Sequence, residues 1–435
     1  MPHENLRTAP RTPAPRVVRA FAAFPAFAAF PAFAAFSAGL CALLAVVLCA
    51  PPPAASASAS ASTSASASIG PAGVTASGGP GGAPHLPKPT GSLPVGVTSL
   101  HLVDASRPDP WVPEARTREL MVSLWYPAAS RHGPRAPYVT AKESELILKG
   151  TGVTGVPPDV LSRTRTNAVA DAEPVGRRRG LPLVILSPGF TWPRSSLTAL
   201  AEELASRGYV VAGIDHTYET FATTFPGGRV TTCAACTIEA GDDFGTKAEE
   251  SRAADVSFVL DALTGPHPPW KGGALIDPSR IAMAGSSLGG ASAAVAMLRD
   301  SRVRAGINLD GTMFAPIPAS GLARPFLLLG QRAHSPGGED ATWDRDWTRM
   351  TGWRRWLVVA GSVHASFTDY DMIARQIGAD LGGDLAGSRS VDITREYVRA
   401  FLDLHLRRRP QPLLDRPSAR YPEVLFCAPE TKTCG

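Results

Sequence analysis

Arg280-Ile281-Ala282-Met283-Ala284-Gly285-Ser286-Ser287-Leu288-Gly289-Gly290-Ala291-Ser292-Ala293-Ala294-Val295-Ala296-Met297-Leu298 decides the reading of this chain. An apolar run drives into a tight turn, and a helix-forming run rich in small residues follows. Gly285-Ser286-Ser287-Leu288-Gly289 is a G-x-S-x-G turn with Ser287 at its apex. A serine hydroxyl is a weak nucleophile at neutral pH, so it needs an exposed perch, a base and donors for a developing oxyanion. The turn supplies the perch, and the residues two before and two after the serine must be small because neighbouring backbone comes close. Ser286 does not fit that frame, since Ala284 and Leu288 would take the glycine positions.

Working outward, strands and helices alternate. Leu120–Tyr126, ending at Pro127, reads as a strand, and Leu183-Val184-Ile185-Leu186 as one buried on both faces. A helix is predicted over Ser195–Arg207 with Gly208 as its stop, then a strand Tyr209–Ile214 and a helix Ala248–Leu263. After the Ser287 helix come strands Ala305–Leu309, Phe326–Leu329 and Trp356–Ala360, and a closing amphipathic helix Ile393–Leu406. This repetition implies an α/β fold with a mainly parallel, doubly wound sheet flanked by helices. In such sheets the chemistry collects at the C-terminal strand ends.

If Ser287 is a nucleophile, an acid and a histidine should follow it in chain order, each just past a strand. Of His334, His364 and His405, only His364 stands in a Gly/Ser loop directly after a strong strand. His334 lies in the polar, Gly-rich loop Gln331–Asp346, which reads as solvent-facing, and His405 is expected on the polar face of the last helix. The acid is open on these grounds. Asp310 follows strand Ala305–Leu309, but Asp310-Gly311 also reads as a plain turn. The loop after Phe326–Leu329 offers Glu339, Asp340 and Asp344.

Three blocks narrow the choice: Gly285–Gly290, Leu309-Asp310-Gly311-Thr312-Met313-Phe314, and Gly361-Ser362-Val363-His364-Ala365-Ser366-Phe367-Thr368-Asp369-Tyr370. Together they resemble the secreted platelet-activating-factor acetylhydrolase family, which has an α/β-hydrolase fold. The resemblance implies Ser287 as nucleophile, Asp310 as the acid and His364 as the base, with backbone N–H groups of Leu288 and Phe190 holding the oxyanion. It implies a small-molecule or lipid ester substrate, met in solution or at a lipid surface, and no metal or organic cofactor. The chain departs from the family at Ser187-Pro188-Gly189-Phe190, at Ser286, and at Asp215-His216-Thr217-Tyr218. A lipase or extracellular polyesterase on the same fold is the alternative, with a non-catalytic surface-binding protein behind it.

Outside the catalytic region, Arg7, Arg11, Arg16 and Arg19 precede a long Ala/Phe/Leu stretch and Pro51-Pro52-Pro53-Ala54-Ala55-Ser56-Ala57. That pattern predicts a secretory signal over residues 1–57, with an uncleaved membrane anchor as the alternative. Residues 58–95, poor in large apolar side chains, read as a disordered Ala/Ser/Gly/Pro spacer. Residues 96–435 read as the catalytic domain.

The net charge of +5 includes four arginines and one glutamate of the leader, so the remainder carries +2. No dense basic patch with interleaved aromatics is present, which excludes nucleic acid as the expected partner. Arg177-Arg178-Arg179 and Arg407-Arg408-Arg409 read as solvated charge, as do Asp242-Asp243 and Glu249-Glu250. Cys233, Cys236, Cys427 and Cys434 remain after the leader, an even number in an exported chain. Their proximity predicts disulfides Cys233–Cys236 and Cys427–Cys434, rather than zinc or a redox pair.

Overall fold

A computed structural model describes residues 75–76, 82–239 and 241–435. The expected leader, residues 1–57, lies outside them. Among the described residues, no helix is long and apolar enough to cross a membrane.

The strands are β1 (Val95–Asp104), β2 (Arg118–Pro127), β3 (Val169–Ala170), β4 (Leu181–Ser187), β5 (Val210–His216), β6 (Thr223–Thr224), β7 (Val230–Thr231), β8 (Ile276–Ser286), β9 (Val303–Leu309), β10 (Phe326–Gly330), β11 (Arg354–Val359), β12 (Val424–Ala428) and β13 (Thr433–Cys434). β6 and β7 form a small separate hairpin; the other eleven build one sheet in the order β13-β12-β11-β10-β9-β8-β4-β5-β2-β1-β3. From β5 through β4, β8, β9 and β10 to β11 every pairing is parallel. β1 and β2 at one side and β12 and β13 at the other pair antiparallel. The order in which strands are added reverses at β4, with β5 on one side and β8 onward on the other. This switch makes a crevice at the C-terminal ends of β4 and β8, where ligands settle in doubly wound sheets.

The helices are α1 (Ala141–Thr151), α2 (Thr198–Ser206), α3 (Phe244–Thr264), α4 (Leu288–Arg299), α5 (Thr342–Trp347), α6 (Asp369–Gln376) and α7 (Arg389–Arg407). Strand periodicity explains why helices cover both faces. Val184 and Leu186 of β4 face a core with Leu200, Leu204, Tyr397 and Phe401 from α2 and α7. Leu183 and Ile185 face the opposite core, with Val256, Val259, Ala293 and Met297 from α3 and α4. Each fully buried Leu, Ile or Val contributes about 1.5–3 kcal/mol, so the continuously apolar central strands anchor the molecule.

Four readings need correction. The spacer ends earlier than residue 95, because residues 82–94 are already held to the domain. Leu86 is buried, the Thr90 amide and hydroxyl donate to Glu203 at 2.6 and 2.7 Å, and Arg395 donates to the Pro87 carbonyl at 3.0 Å. Polar anchoring of this kind leaves no hydrophobic signature. Glu249 is not solvated: it is buried and accepts from the Phe314 and Ala315 amides at 2.9 Å each, while its neighbour Glu250 is exposed. The helical period turns position 249 inward with Arg252 and Val256. Burial pushes the Glu249 carboxyl up to about 7, against the two backbone hydrogen bonds. His405 is half-buried between Trp353 and Phe401, its ring 4.6 Å from each. Asp340 is also half-buried, for a reason that belongs to the site below.

Candidate active site

β8 ends at Ser286, and Ser287 takes φ 55° and ψ −130° before α4 begins. A non-glycine residue in that conformation is strained, and the surrounding backbone holds it there. The Ser287 amide donates to the Leu309 carbonyl at 2.7 Å, and its carbonyl accepts from Gly290 and Ala291 at 2.8 and 3.1 Å. A β-carbon on Gly289 or on Gly285 would collide with the Ser187 carbonyl, so glycine at both positions is a packing requirement. Ser286 points the other way, its hydroxyl buried without a partner.

β9 delivers the second component. Asp310 has φ 60° and is buried one residue past the strand, with Asn308 clamping the Gly311 amide and carbonyl at 2.8 Å each. Its carboxylate accepts from the Gln331 amide at 2.7 Å, Gln331 Nε2 at 3.0 Å, and Nδ1 of His334 at 2.9 Å and of His364 at 2.6 Å. Burial would raise this carboxyl, but those hydrogen bonds and the two imidazoles hold it well below the usual carboxylate range.

His364 is delivered by the loop after β11, which the Ser366 hydroxyl ties back to the Val363 amide at 3.0 Å. Asp369, the first residue of α6 just beyond that loop, accepts from the Ala199 amide of α2 at 3.2 Å. A carboxylate only accepts, so the His364 Nδ1 must carry the proton, and Nε2 is left as the acceptor.

His334 is the unforeseen member. Its Nε2 lies 3.1 Å from Asp340, so both its ring nitrogens face carboxylates and both must donate. Burial would lower this imidazole, yet the hydrogen bonds to Asp310 and Asp340 raise it to about 9. His334 therefore stands as a buried imidazolium between two carboxylates, with no lone pair for a serine proton. This is why Asp340 is half-buried rather than solvent-facing. Glu339 is exposed, and Asp344 accepts from the Gly337 amide, away from His364. The strand-end rule applied to β10 would have singled out Gln331 and His334, which lie within four residues of Gly330.

Two backbone amides are free for an oxyanion. Leu288 is the first residue of α4, and Phe190 follows Gly189 in the loop after β4; neither amide has a partner among the described residues. That loop is anchored from below. Arg252 donates to the Pro188 carbonyl at 2.5 Å and to Glu219 at 2.7 Å, and Ser187 Oγ lies 2.9 Å from His216 Nε2. His216 Nδ1 meets Asp255 at 2.7 Å, and Asp255 receives Arg118 at 2.8 Å.

Aromatic side chains wall the approach. Trp192 lies 5.8 Å from the His364 ring, and Phe190 meets Phe244 edge-on at 5.4 Å. Phe190, Tyr218 and Phe244 rest on a cluster that includes Leu288, Trp111 and Cys233. The Cys233–Cys236 disulfide thus braces this wall, while Cys427–Cys434 closes the β12–β13 hairpin.

A family model described as "Platelet-activating factor acetylhydrolase, isoform II" matches residues 82–228 and 271–411, more than half of the chain. The chain belongs to that family. A probable 1-alkyl-2-acetylglycerophosphocholine esterase of Arthroderma benhamiae is 28% identical over 78% of this chain and 93% of its own length. The platelet-activating factor acetylhydrolase of Cavia porcellus is 23% identical over 74% of this chain and 78% of its own. Among solved structures, a ferulic acid esterase from Streptomyces cinnamoneus is 45% identical with a TM-score of 0.73, covering 80% of this chain and all of its own. The sheet order and these likenesses make this an α/β-hydrolase fold and the protein a carboxylic ester hydrolase.

Proposed function

We propose that the protein is an exported serine esterase acting on short or compact acyl esters through an acyl-enzyme on Ser287. His364 Nε2 removes the Ser287 proton as the hydroxyl attacks the ester carbonyl, then returns it to the leaving alkoxide. Asp310 fixes the imidazole tautomer and offsets the charge of the imidazolium. The amides of Leu288 and Phe190 receive the tetrahedral oxyanion, and water repeats the sequence to release the acid. The observation that carries this reading is the 2.6 Å contact between His364 Nδ1 and the buried Asp310 carboxylate, beside a serine on a strained, glycine-framed turn.

The favoured substrate is a short-acyl, phospholipid-type ester, in line with the glycerophosphocholine esterase and acetylhydrolase relatives. A second reading, an aromatic hydroxycinnamoyl ester, is supported by Trp192, Phe190 and Phe244 and by the 45% identical ferulic acid esterase. Rates on p-nitrophenyl acetate through palmitate, beside methyl ferulate, test both. A fall in kcat/KM beyond short chains is expected, and preference for palmitate would overturn the proposal in favour of a lipase.

A further inference from the structure

Arg177, in the turn before β4, and Arg407, Arg408 and Arg409, at the end of α7, are far apart in sequence but line one open basin of about 900 Å³. Arg207 after α2, Arg280 in β8 and Arg304 in β9 complete its wall. The left-handed C-cap at Arg408, φ 56°, turns the chain so that its neighbours fan out instead of following the helix. β4, β8 and β9 begin near this basin and end at the nucleophile. Six residues of β8 and its turn separate Ile281 from Ser287, about 20 Å at ~3.3 Å per residue, so this is not the ester site.

Among the described residues, no carboxylate lines the basin. Three of the arginines reach acids outside the wall: Arg207 pairs with Glu203, Arg280 with Asp277 and Arg407 with Asp403. The guanidinium groups of Arg177, Arg304, Arg408 and Arg409 have no ion pair or hydrogen bond among the described residues. These four guanidinium groups, without counter-charges of their own, repel one another, and a bound anion would remove that cost.

We propose that this basin binds a compact anion bearing several phosphoryl groups. Planar guanidinium forks match phosphoryl oxygens in pairs, which a lysine cluster would not do. The wall is concave and polar, with Leu181 and Leu406 its only large apolar residues among those described and Leu406 buried, so little is available to insert into a bilayer. Among the described residues the one ring in the lining is His405, which is already packed between Trp353 and Phe401 and so is not free to stack a base.

The test is calorimetric titration of the full chain with inorganic tripolyphosphate, beside co-sedimentation with phosphatidylglycerol vesicles. Saturable one-to-one tripolyphosphate binding that weakens as salt is raised is expected. The combined Arg177→Ala, Arg304→Ala and Arg409→Ala variant should bind at least about tenfold more weakly, with p-nitrophenyl acetate turnover unchanged as proof of folding. Absent tripolyphosphate binding, equal binding by the variant, or binding to vesicles alone would each overturn the proposal.

Discussion

Two Ser–His–Asp constellations stand side by side at the ends of neighbouring strands, for Ser187 of β4 pairs in register with Gly285 of β8. Ser187, His216 and Asp255 are hydrogen-bonded in series at 2.9 and 2.7 Å, as a catalytic triad would be. All three are 0% exposed. Arg118 and Arg107 occupy the Asp255 carboxylate, and Arg252 lies 3.3 Å from the Ser187 hydroxyl. Burial, aided by the Arg252 charge, keeps the His216 imidazole below its ordinary range and neutral. Around Ser287 the serine is half-buried, the His364 side chain is 30% exposed, and the Leu288 and Phe190 amides have no partner among the described residues. Connectivity alone therefore does not make a nucleophile. Access, backbone strain and donors for the oxyanion separate the two, and the buried set serves as the footing of the oxyanion loop.

The sharpest way to break this comparison is to delete each serine. Ser287→Ala should lose a factor on the order of a million in kcat, whereas Ser187→Ala should lower stability by about 1–2 kcal/mol with most turnover kept. Ser286→Ala should keep its activity, since that hydroxyl has no partner to lose. Steady-state kinetics on folded variants, checked by circular dichroism, decide it.

The two aspartates divide in the same way. Asp310→Asn should cost on the order of ten-thousandfold in turnover. Asp255→Asn leaves Arg118 buried without its main counter-charge, so urea denaturation should register a loss of about 3–5 kcal/mol. Equal kinetic losses in both would refute the division.

His334 sharpens the account through pH. Its folded value, about 9, lies above its ordinary 6.5, so its stabilisation is fully present below 6.5 and is lost as pH rises through about 9. Asp310 and Asp340 are depressed, and their contribution is present above the ordinary carboxylate range and lost as pH falls below it. Unfolding free energy should decline between roughly pH 6.5 and 9 in the native chain, and His334→Gln should flatten that slope. A slope unchanged by the substitution would remove the imidazolium from the account. Reducing both disulfides should cost about 2–3 kcal/mol each and lower Tm without unfolding the domain, with no loss of turnover in the folded protein.

The elbow was legible because sterics force glycine at 285 and 289, and His364 because strand order selects it. Asp310 was legible only through family likeness, since a turn Asp-Gly and a loop with three acids satisfy the same strand-end rule. His334 and Asp340 were hidden because their role depends on β9 and β10 lying side by side, which spacing within one loop does not express. The buried set was hidden too: Ser187, His216 and Asp255 come from β4, β5 and α3, and no local pattern links them. β1 was missed because its central residues alternate half-buried and exposed rather than running apolar.

The most direct test is to label the intact protein with a fluorophosphonate probe and locate the adduct by peptide mass spectrometry. The account predicts one adduct, on Ser287, formed with loss of esterase activity, absent in Ser287→Ala and retained in Ser187→Ala. An adduct on Ser187 or Ser286, or unimpaired activity with Ser287 fully modified, would contradict it.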